Sequence, residues 1–345
     1  MAVKIAPQKQ DSAIGLDIGS YSIKCVELTS HQDKIRLQRV SILPINSEAP
    51  EKISQALKVI FDGSPSASRR VRISVSGGGS SLLIRRIQLP NMTPQELRGA
   101  IRFEAEGHIP FPIDECQIDF QILNVTPDKK SMNVLLVAAK KAFIKERLKL
   151  VEAAGISPEV IDVDIFCLIN AYEILGRAPE ENSFGLVNIG HKVTSFAIIQ
   201  DRVPFFVREI PFGASSITRA LSEAKGISLD DAEAIKLAPT PEQMTDLRQA
   251  VVRGFEPLVE EMHHSIDYVE NETGEELPAV WLSGGGALCA GAPEVLSEEL
   301  GKKVSRWDNT KRMEVFGDID QAYLNAHSAE LNVALGMVLR RTWKK

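Results

Sequence analysis

A strand–glycine turn–strand unit occurs twice, half a chain apart, and this limits the fold more than any other feature. Residues 13–18 and 23–28 are rich in Ile, Leu, Val and Cys and are split by Gly19-Ser20-Tyr21-Ser22. Residues 184–189 and 194–199 repeat the pattern around Gly190-His191-Lys192. Aligning Gly15-Leu16-Asp17-Ile18-Gly19 with Leu186-Val187-Asn188-Ile189-Gly190 offsets the copies by 171 positions (188 − 17). Two apolar runs joined by a short glycine turn read as paired strands. Two copies at this separation point to two related domains, not a solenoid of short repeats.

Length and charge narrow the class. A chain of 345 residues has room for two to three domains. With 40 basic and 46 acidic residues its net charge is −6, which gives no overall drive towards nucleic acid or anionic lipid. The hydrophobic share of 44% excludes disorder, collagen and coiled coil. Cys25, Cys116, Cys167 and Cys289 form no C-x-x-C, and three of the four sit in apolar surroundings that suit reduced, buried thiols. The histidines form no H-x-x-x-H, so no zinc site is expected. The longest aliphatic run, residues 134–139, is far short of the roughly 20 that a spanning helix needs. Residues 1–12 lack the apolar core of a signal peptide. A cytoplasmic protein that reaches membranes only indirectly is expected.

Between the copies the pattern changes. Thr93-Pro94-Gln95-Glu96 is a helix start, with Thr93 as cap, Pro94 at the first helical position and Glu96 completing a capping box. Leu97, Ile101 and Ala105 follow at helical spacing, until the prolines at 110 and 112. Strands are expected at 117–125 and 132–138, then a helix ending at Gly155. Together these make an inserted unit of about 65 residues. Beyond the second turn, helices are expected at 215–224, 229–237, 240–271 (interrupted or kinked near Pro257), 292–300 and 326–341. A buried strand at 279–283 runs into Gly284-Gly285-Gly286.

The glycine turns are where chemistry is expected. Glycine lets backbone approach a phosphate, and turn N–H groups with the hydroxyls of Ser20 and Ser22 donate to its oxygens. Asp17, at a strand end, suits a hydrated Mg²⁺, a hard cation that keeps most of its waters. One copy alone also reads as a plain hairpin. The second copy and the triple glycine favour phosphate binding. Neither G-x-x-x-x-G-K-[ST] nor G-x-G-x-x-G is present, so no P-loop or dinucleotide fold is indicated. Gly77-Gly78-Gly79-Ser80 reads as a flexible turn.

Residues 14–20 resemble the first phosphate loop of the actin, heat-shock chaperone and sugar-kinase superfamily. Residues 186–190 resemble its second phosphate loop, and residues 280–287 its adenosine motif. Residues 160–164 and 331–336 resemble its two connecting segments. All five occur in the family's order. Leu89-Pro90, the helix at 96–106 and Ile109-Pro110-Phe111-Pro112-Ile113-Asp114-Glu115 are similar to the PilM family of type IV pilus assembly proteins. The FtsA-type division proteins share the insert but carry a C-terminal linker and membrane-targeting helix, which residues 341–345 do not resemble.

The resemblance implies an α/β, actin-like (ribonuclease H-like) duplicated two-lobe fold with an inserted FtsA-type 1C subdomain. A tail spans 1–12, subdomain 1A spans 13–90, the insert spans 91–157, and 1A resumes at 158–184. A second lobe covers 185–325, with its smaller part at about 226–277, and a C-terminal helix at 326–345 returns to the first lobe. The implied nucleotide site consists of Asp17, Gly19, Ser20, Ser22, Lys24, Asn188, Gly190, Lys192, Gly213, Glu233, Lys236, Gly284, Gly285, Gly286 and Ala287. ATP and Mg²⁺ are the cofactors, with the metal on Asp17 through water. Asp164 either orients an attacking water or merely flanks a strand end. Asn188 replaces the usual Asp, and an amide cannot serve as a base, so little or no hydrolysis is expected.

The implied partner is the cytoplasmic N-terminal tail of PilN, in a groove near residues 95–106 and 110–122. Other platform proteins, motor ATPases and self-association are also implied; nucleic acid is not. The protein would sit peripherally at the inner membrane through PilN. The alternatives are an FtsA-like filament former and an actin-fold small-molecule kinase. For the kinase, no substrate base is specified.

Overall fold

β-branched and leucine-rich sequence makes β1 (Asp11–Ile18) and β2 (Ser22–His31). Gly19 closes the turn between them, its N–H donating to the Ser22 carbonyl at 3.2 Å. β3 (Lys34–Pro44) pairs with β2, and β4 (Arg70–Val75) lies parallel to β1. With β8 (Val160–Val163) and β14 (Glu314–Val315), the sheet has the order β14-β3-β2-β1-β4-β8. The second sheet is built from β9 (Ser183–Ile189), β10 (Thr194–Gln200), β11 (Val203–Ile210), β12 (Ala279–Ser283) and β13 (Lys303–Arg306), in the order β11-β10-β9-β12-β13. Strand for strand this repeats β3-β2-β1-β4-β8. The registers agree as well: Asp17 lies opposite Lys24 and Ser74, and Asn188 opposite Ser195 and Ser283.

These elements come from a computed structural model that describes residues 11–31, 34–45, 48–62, 70–76, 81–175, 182–316 and 319–340. The tail at 1–10, the turn expected at Gly77-Gly78-Gly79-Ser80 and residues 341–345 lie outside the described residues. The chain forms two compact units. One comprises Met1–Ser74, Val151–Gly176 and Asp308–Lys345, and the other Val75–Leu150 and Arg177–Trp307.

The insert is a third sheet, β5-β7-β6, made of β5 (Leu82–Pro90), β6 (Cys116–Val125) and β7 (Ser131–Lys140). Helix α2 (Pro94–Glu106) covers it, burying Leu97, Ile101 and Ala105 against Ile87, Leu89, Val134, Leu136 and Ala138. The expected capping box is present: Thr93 N–H donates to Glu96 Oε2 at 2.7 Å, and Glu96 N–H donates to Thr93 Oγ1 at 3.3 Å.

Two expected boundaries are corrected. The insert begins at Leu82, not at 91, because Ile87 and Leu89 on β5 belong to its core. It also groups with the second sheet, not the first; the Arg86 guanidinium lies over the Phe205 ring of β11, 4.1 Å from its centroid. The return to the first sheet begins at Asp308, not at 326, since β14 pairs with β3 and Met313 joins that core. The helix expected at 326–341 is instead α9 (Gln321–His327), a 3-10 turn (Ser328–Leu331) and α10 (Asn332–Leu339). Helix α7 (Met244–Thr273) runs through Pro257 without interruption.

Helix α10 fixes the first unit. A Cβ on Gly15 of β1 would strike the Ala334 carbonyl oxygen. A Cβ on Gly336 would strike the Cys167 carbonyl oxygen of α4 (Asp164–Leu175). Backbone therefore packs directly on backbone on two sides of α10. Its last carbonyls are taken up by Arg72, only 1% exposed, which donates from Nη1 to Met337 O (3.3 Å), Val338 O (3.0 Å) and Arg340 O (3.4 Å).

These contacts set the sign of two glycine substitutions. Gly336→Ala gains helix propensity but overpacks a backbone contact, and should lose roughly 2 kcal/mol net in urea unfolding. Gly99→Ala, on the exposed side of α2 with nothing within 4 Å of its Cβ, should gain about 0.5–1 kcal/mol.

Candidate functional site

The first cradle lies where β1 turns into β2. Asp17 is buried, and the Lys24 ammonium across the hairpin is 3.2 Å from its Oδ2. Burial by itself lowers the Lys24 pKa. The carboxylates of Asp17, Glu330 and Asp164 outweigh it and raise the lysine above its ordinary 10.5. Ser22 is buried beside them, and Ser20 is half-buried in the turn. Asp164 opens α4, directly after β8. Asp162, the residue before last on that strand, is 2.9 Å from Arg340 Nη1. Glu330, from the turn before α10, meets His327 Nδ1 at 2.5 Å. Burial, followed by Asp162, Asp164 and Asp17, pushes the Cys167 thiol well above its usual 9.0.

The second cradle repeats the backbone and changes the charges. Gly190 N–H donates to Val193 O at 3.0 Å, as Gly19 does to Ser22. A Cβ on Gly190 would lie 2.7 Å from that oxygen, and one on Gly213 would lie 2.6 Å from Gly190 O. Ala214 and Ser215 donate their N–H groups to Gly190 O (2.9 Å) and His191 O (2.8 Å), so α5 (Ser215–Lys225) starts on the turn. Gly284 has φ +87°, and a Cβ there would approach Asn188 Oδ1 at 2.8 Å. Both the backbone conformation and the space require glycine. Gly285 is exposed, while Gly286 and Ala287 are buried.

Glu233 and Lys236, on α6 (Leu229–Leu237), are not a solvated surface pair. Lys236 Nζ is 2.7 Å from Glu233 Oε2, and donates to Thr218 Oγ1 (2.9 Å) and Ala214 O (3.3 Å). Thr218 in turn donates to Glu233 Oε2. This network ties α6 to the first turns of α5. Burial lifts the Cys289 thiol to about 11; Lys236 opposes the shift and Glu233 adds to it.

The predicted residues therefore form two sets. Asp17, Gly19, Ser20, Ser22, Lys24 and Asp164 lie in the first unit. Asn188, Gly190, Lys192, Gly213, Glu233, Lys236 and Gly284 to Ala287 lie in the second. Lys192 is exposed on the turn and occupies the place of Tyr21, not of Lys24. The partner of Asn188 in the Lys24 position is Ser195, which sequence reasoning missed although the seven-residue offset from Asp17 to Lys24 repeats from Asn188 to Ser195. Thr218 and Arg72 were also missed, and nothing in their local sequence marks them. Among the described residues, no group of three or more His, Cys, Asp or Glu is placed to hold a metal ion.

In the predicted partner region, β6 is an edge strand, paired only with β7 among the described residues. Its Ile118, Phe120 and Ile122 are only partly covered by the α2 core.

A family model described as type IV pilus assembly protein PilM matches residues 15–342. The chain belongs to the PilM family. A solved PilM-PilN type IV pilus biogenesis complex is 26% identical, with a TM-score of 0.80, covering 95% of this chain and 98% of that one. The ethanolamine utilization protein EutJ from Carboxydothermus hydrogenoformans is 17% identical at TM-score 0.52, covering 97% and 91%. MreB5 of Spiroplasma citri, solved with ADP, is 11% identical at TM-score 0.51, covering 96% and 95%. The fold is the actin-like α/β fold expected from the sequence, and within it this PilM-family chain carries the duplicated five-strand core described above.

The Asp17–Lys24 pair gives a sharp test. Asp17→Asn leaves Lys24 buried without its nearest carboxylate and should cost roughly 3 kcal/mol in urea unfolding at neutral pH. Adding Lys24→Met should recover part of that loss. The sign for pH follows from the raised lysine: its contribution is full below 10.5 and falls only as pH rises through the higher folded value. On the alkaline side, the gap between wild type and the double variant should therefore narrow as pH rises through the raised lysine value.

Proposed function

We propose that this chain is a cytoplasmic, ATP-binding scaffold of the type IV pilus inner-membrane platform, holding the N-terminal tail of a PilN-type partner. One observation carries the reading: the likeness over nearly the whole chain to a PilM solved with PilN. A tail held by a membrane protein would place the chain peripherally at the inner membrane. This fits the finding that no described helix is long and apolar enough to cross one. Other platform proteins, motor ATPases and further copies of the chain are candidate neighbours.

The residues present fit a nucleotide. Glycine at 19, 190 and 284 lets these backbone turns close tightly, since a Cβ on Gly190 would lie 2.7 Å from Val193 O and one on Gly284 2.4 Å from Ile189 O, and tight turns of this kind present N–H groups to an anion. In this reading Gly19, Ser20, Ser22 and Lys24 hold phosphate oxygens from the first loop, and Gly190, Lys192, Gly213 and Gly285 hold them from the second. Glu233 and Lys236 border the ribose and adenine, with Gly284, Gly286 and Ala287 shaping the adenine side. Bound ATP would supply the phosphates to which a Mg²⁺ attaches, with Asp17 reaching the metal through water. Asp164, at the start of α4, is the carboxylate this reading assigns to orienting a water. Asn188 can donate or accept a hydrogen bond but cannot take a proton, so the nucleotide acts as a ligand, not a substrate.

In this reading the partner tail lies along α2 and the outer edge of β6, whose half-covered apolar side chains suit strand addition. A PilN N-terminal peptide should bind at about micromolar affinity or better, ~8 kcal/mol, in calorimetric titrations with and without ATP. No binding under either condition would remove the scaffold reading, and nucleotide-dependent sedimentation would favour a filament former. In steady-state phosphate release, wild type should turn over well below ~1 s⁻¹. Asn188→Asp should raise that rate without weakening ATP binding by more than a fewfold.

A further inference from the structure

One polar row crosses three strands of the first unit. Lys24 on β2, Asp17 on β1 and Ser74 on β4 are register partners, so their side chains leave the sheet on the same face. Gly15 and Arg72, two residues back on β1 and β4, share that face, and α10 packs against them. Ser74 is 1% exposed, and its Oγ is buried with no hydrogen-bond partner among the described residues. An unpaired buried hydroxyl is costly and uncommon in native proteins. The carboxylate next to it is engaged on the other side, with Asp17 Oδ2 3.2 Å from Lys24 Nζ. The second unit repeats the hydroxyl but not the lysine: Ser283, also 1% exposed, is the register partner of Asn188, and Ser195 stands in the place of Lys24.

The nucleotide reading makes a second demand on Lys24. Its ammonium lies on Asp17 in this structure, and in that reading it holds a phosphate oxygen. Nζ also lies against the glycine turn, 3.1 Å from where a Cβ on Gly19 would sit, so the move to a phosphate there is short. An ammonium that turns to phosphate leaves the Asp17 carboxylate buried without its lysine partner, and a buried carboxylate needs another donor. We propose that Ser74 is that donor: its hydroxyl swings to the Asp17 carboxylate when Lys24 engages a phosphate, and holds the carboxylate in place. Neighbouring strands are about 4.8 Å apart, so rotation of the two side chains closes the gap without backbone movement. A hydroxyl-to-carboxylate bond is charge-assisted and stronger than a neutral one. The carboxylate keeps further acceptor sites for a water. Ser74 touches neither phosphate nor metal, so it is a positioning residue. The inference rests on the nucleotide reading, which supplies the phosphate.

The test combines urea unfolding without ligand and calorimetric titration with Mg·ATP, on the full chain. Wild type is compared with Ser74→Ala, Lys24→Met and the double variant. Without nucleotide, Ser74→Ala should leave the unfolding midpoint unchanged or raise it, because the hydroxyl removed is unpaired. In the Lys24→Met background the hydroxyl already serves Asp17, so adding Ser74→Ala there should lower the midpoint. In the titration, Ser74→Ala should weaken Mg·ATP binding about tenfold, ~1.4 kcal/mol, near the lower end of what a hydrogen bond to a charged group contributes. Circular dichroism checks that each variant is folded, and if Lys24→Met is not, the titration of Ser74→Ala decides alone. A midpoint lowered by Ser74→Ala in the wild-type background would mark a fixed structural bond and overturn the proposal. Wild-type Mg·ATP affinity in Ser74→Ala would overturn it too, as would an unchanged midpoint on adding Ser74→Ala to Lys24→Met. If wild type itself binds no Mg·ATP, the nucleotide reading fails and the proposal falls with it, an outcome distinct from wild-type binding that Ser74→Ala leaves untouched.

Discussion

The first cradle depends on α10 lying against β1 and α4 with no side chains between. Gly15 and Gly336 permit that approach, and Arg72 receives the helix end. The residues flanking α10 then fall beside the cradle. Glu330, just before the helix, contributes to holding the Lys24 proton, and Arg340, just after it, pairs with Asp162. Arg72 carries a full charge in a site with almost no water, and burial lowers its affinity for the proton. The three carbonyl acceptors and the nearby Glu159 carboxylate are what make that burial tolerable.

The two cradles share a backbone and differ in electrostatics. The first has an ion pair across its hairpin, and the second has an amide facing a hydroxyl in the same register. An ion pair that is largely out of water costs desolvation, and the hydrogen-bonded alternative avoids that cost. The two copies therefore share the tight glycine turn and differ in the charges beside it. In the second unit the buried charges lie instead on α6, where Lys236 and Glu233 lock onto Thr218 and the start of α5. That pair serves the packing of its own unit whatever ligand lies nearby.

Much of this was legible because local signals and tertiary demands agreed. The Thr93–Glu96 box, the bounds of α6, α8 (Ala292–Leu300) and β12, and the two glycine turns are all set by residues within a few positions of each other. What escaped is set at a distance. Nothing around Leu82 says that β5 pairs with β7 instead of joining the first sheet, because an apolar strand reads alike in either place. Helical spacing at 326–341 could not reveal the 3-10 turn at Ser328–Leu331. Arg72 sits in a strand where a charged residue ordinarily faces solvent, and its role appears only when α10, more than 260 residues later in the chain, arrives above it.

The grouping of the insert with the second sheet changes how its surfaces relate to the rest of the chain. The edge strand β6 and helix α2 are carried by the same compact unit as the turn at Gly190 and the glycines at 284–286. Within that unit the insert meets β11 through Arg86 on Phe205. The adjoining cleft of ≈ 550 Å³ is lined by Gln88, Asn133, Tyr268 and Glu272. One stacked cation and a partly open cleft make a modest joint compared with the continuous cores on either side. Among the described residues the strands of the two sheets share no ladder hydrogen bonds, so within this unit the insert is joined to the second sheet by side-chain packing such as Arg86 on Phe205, and not by a continuous sheet.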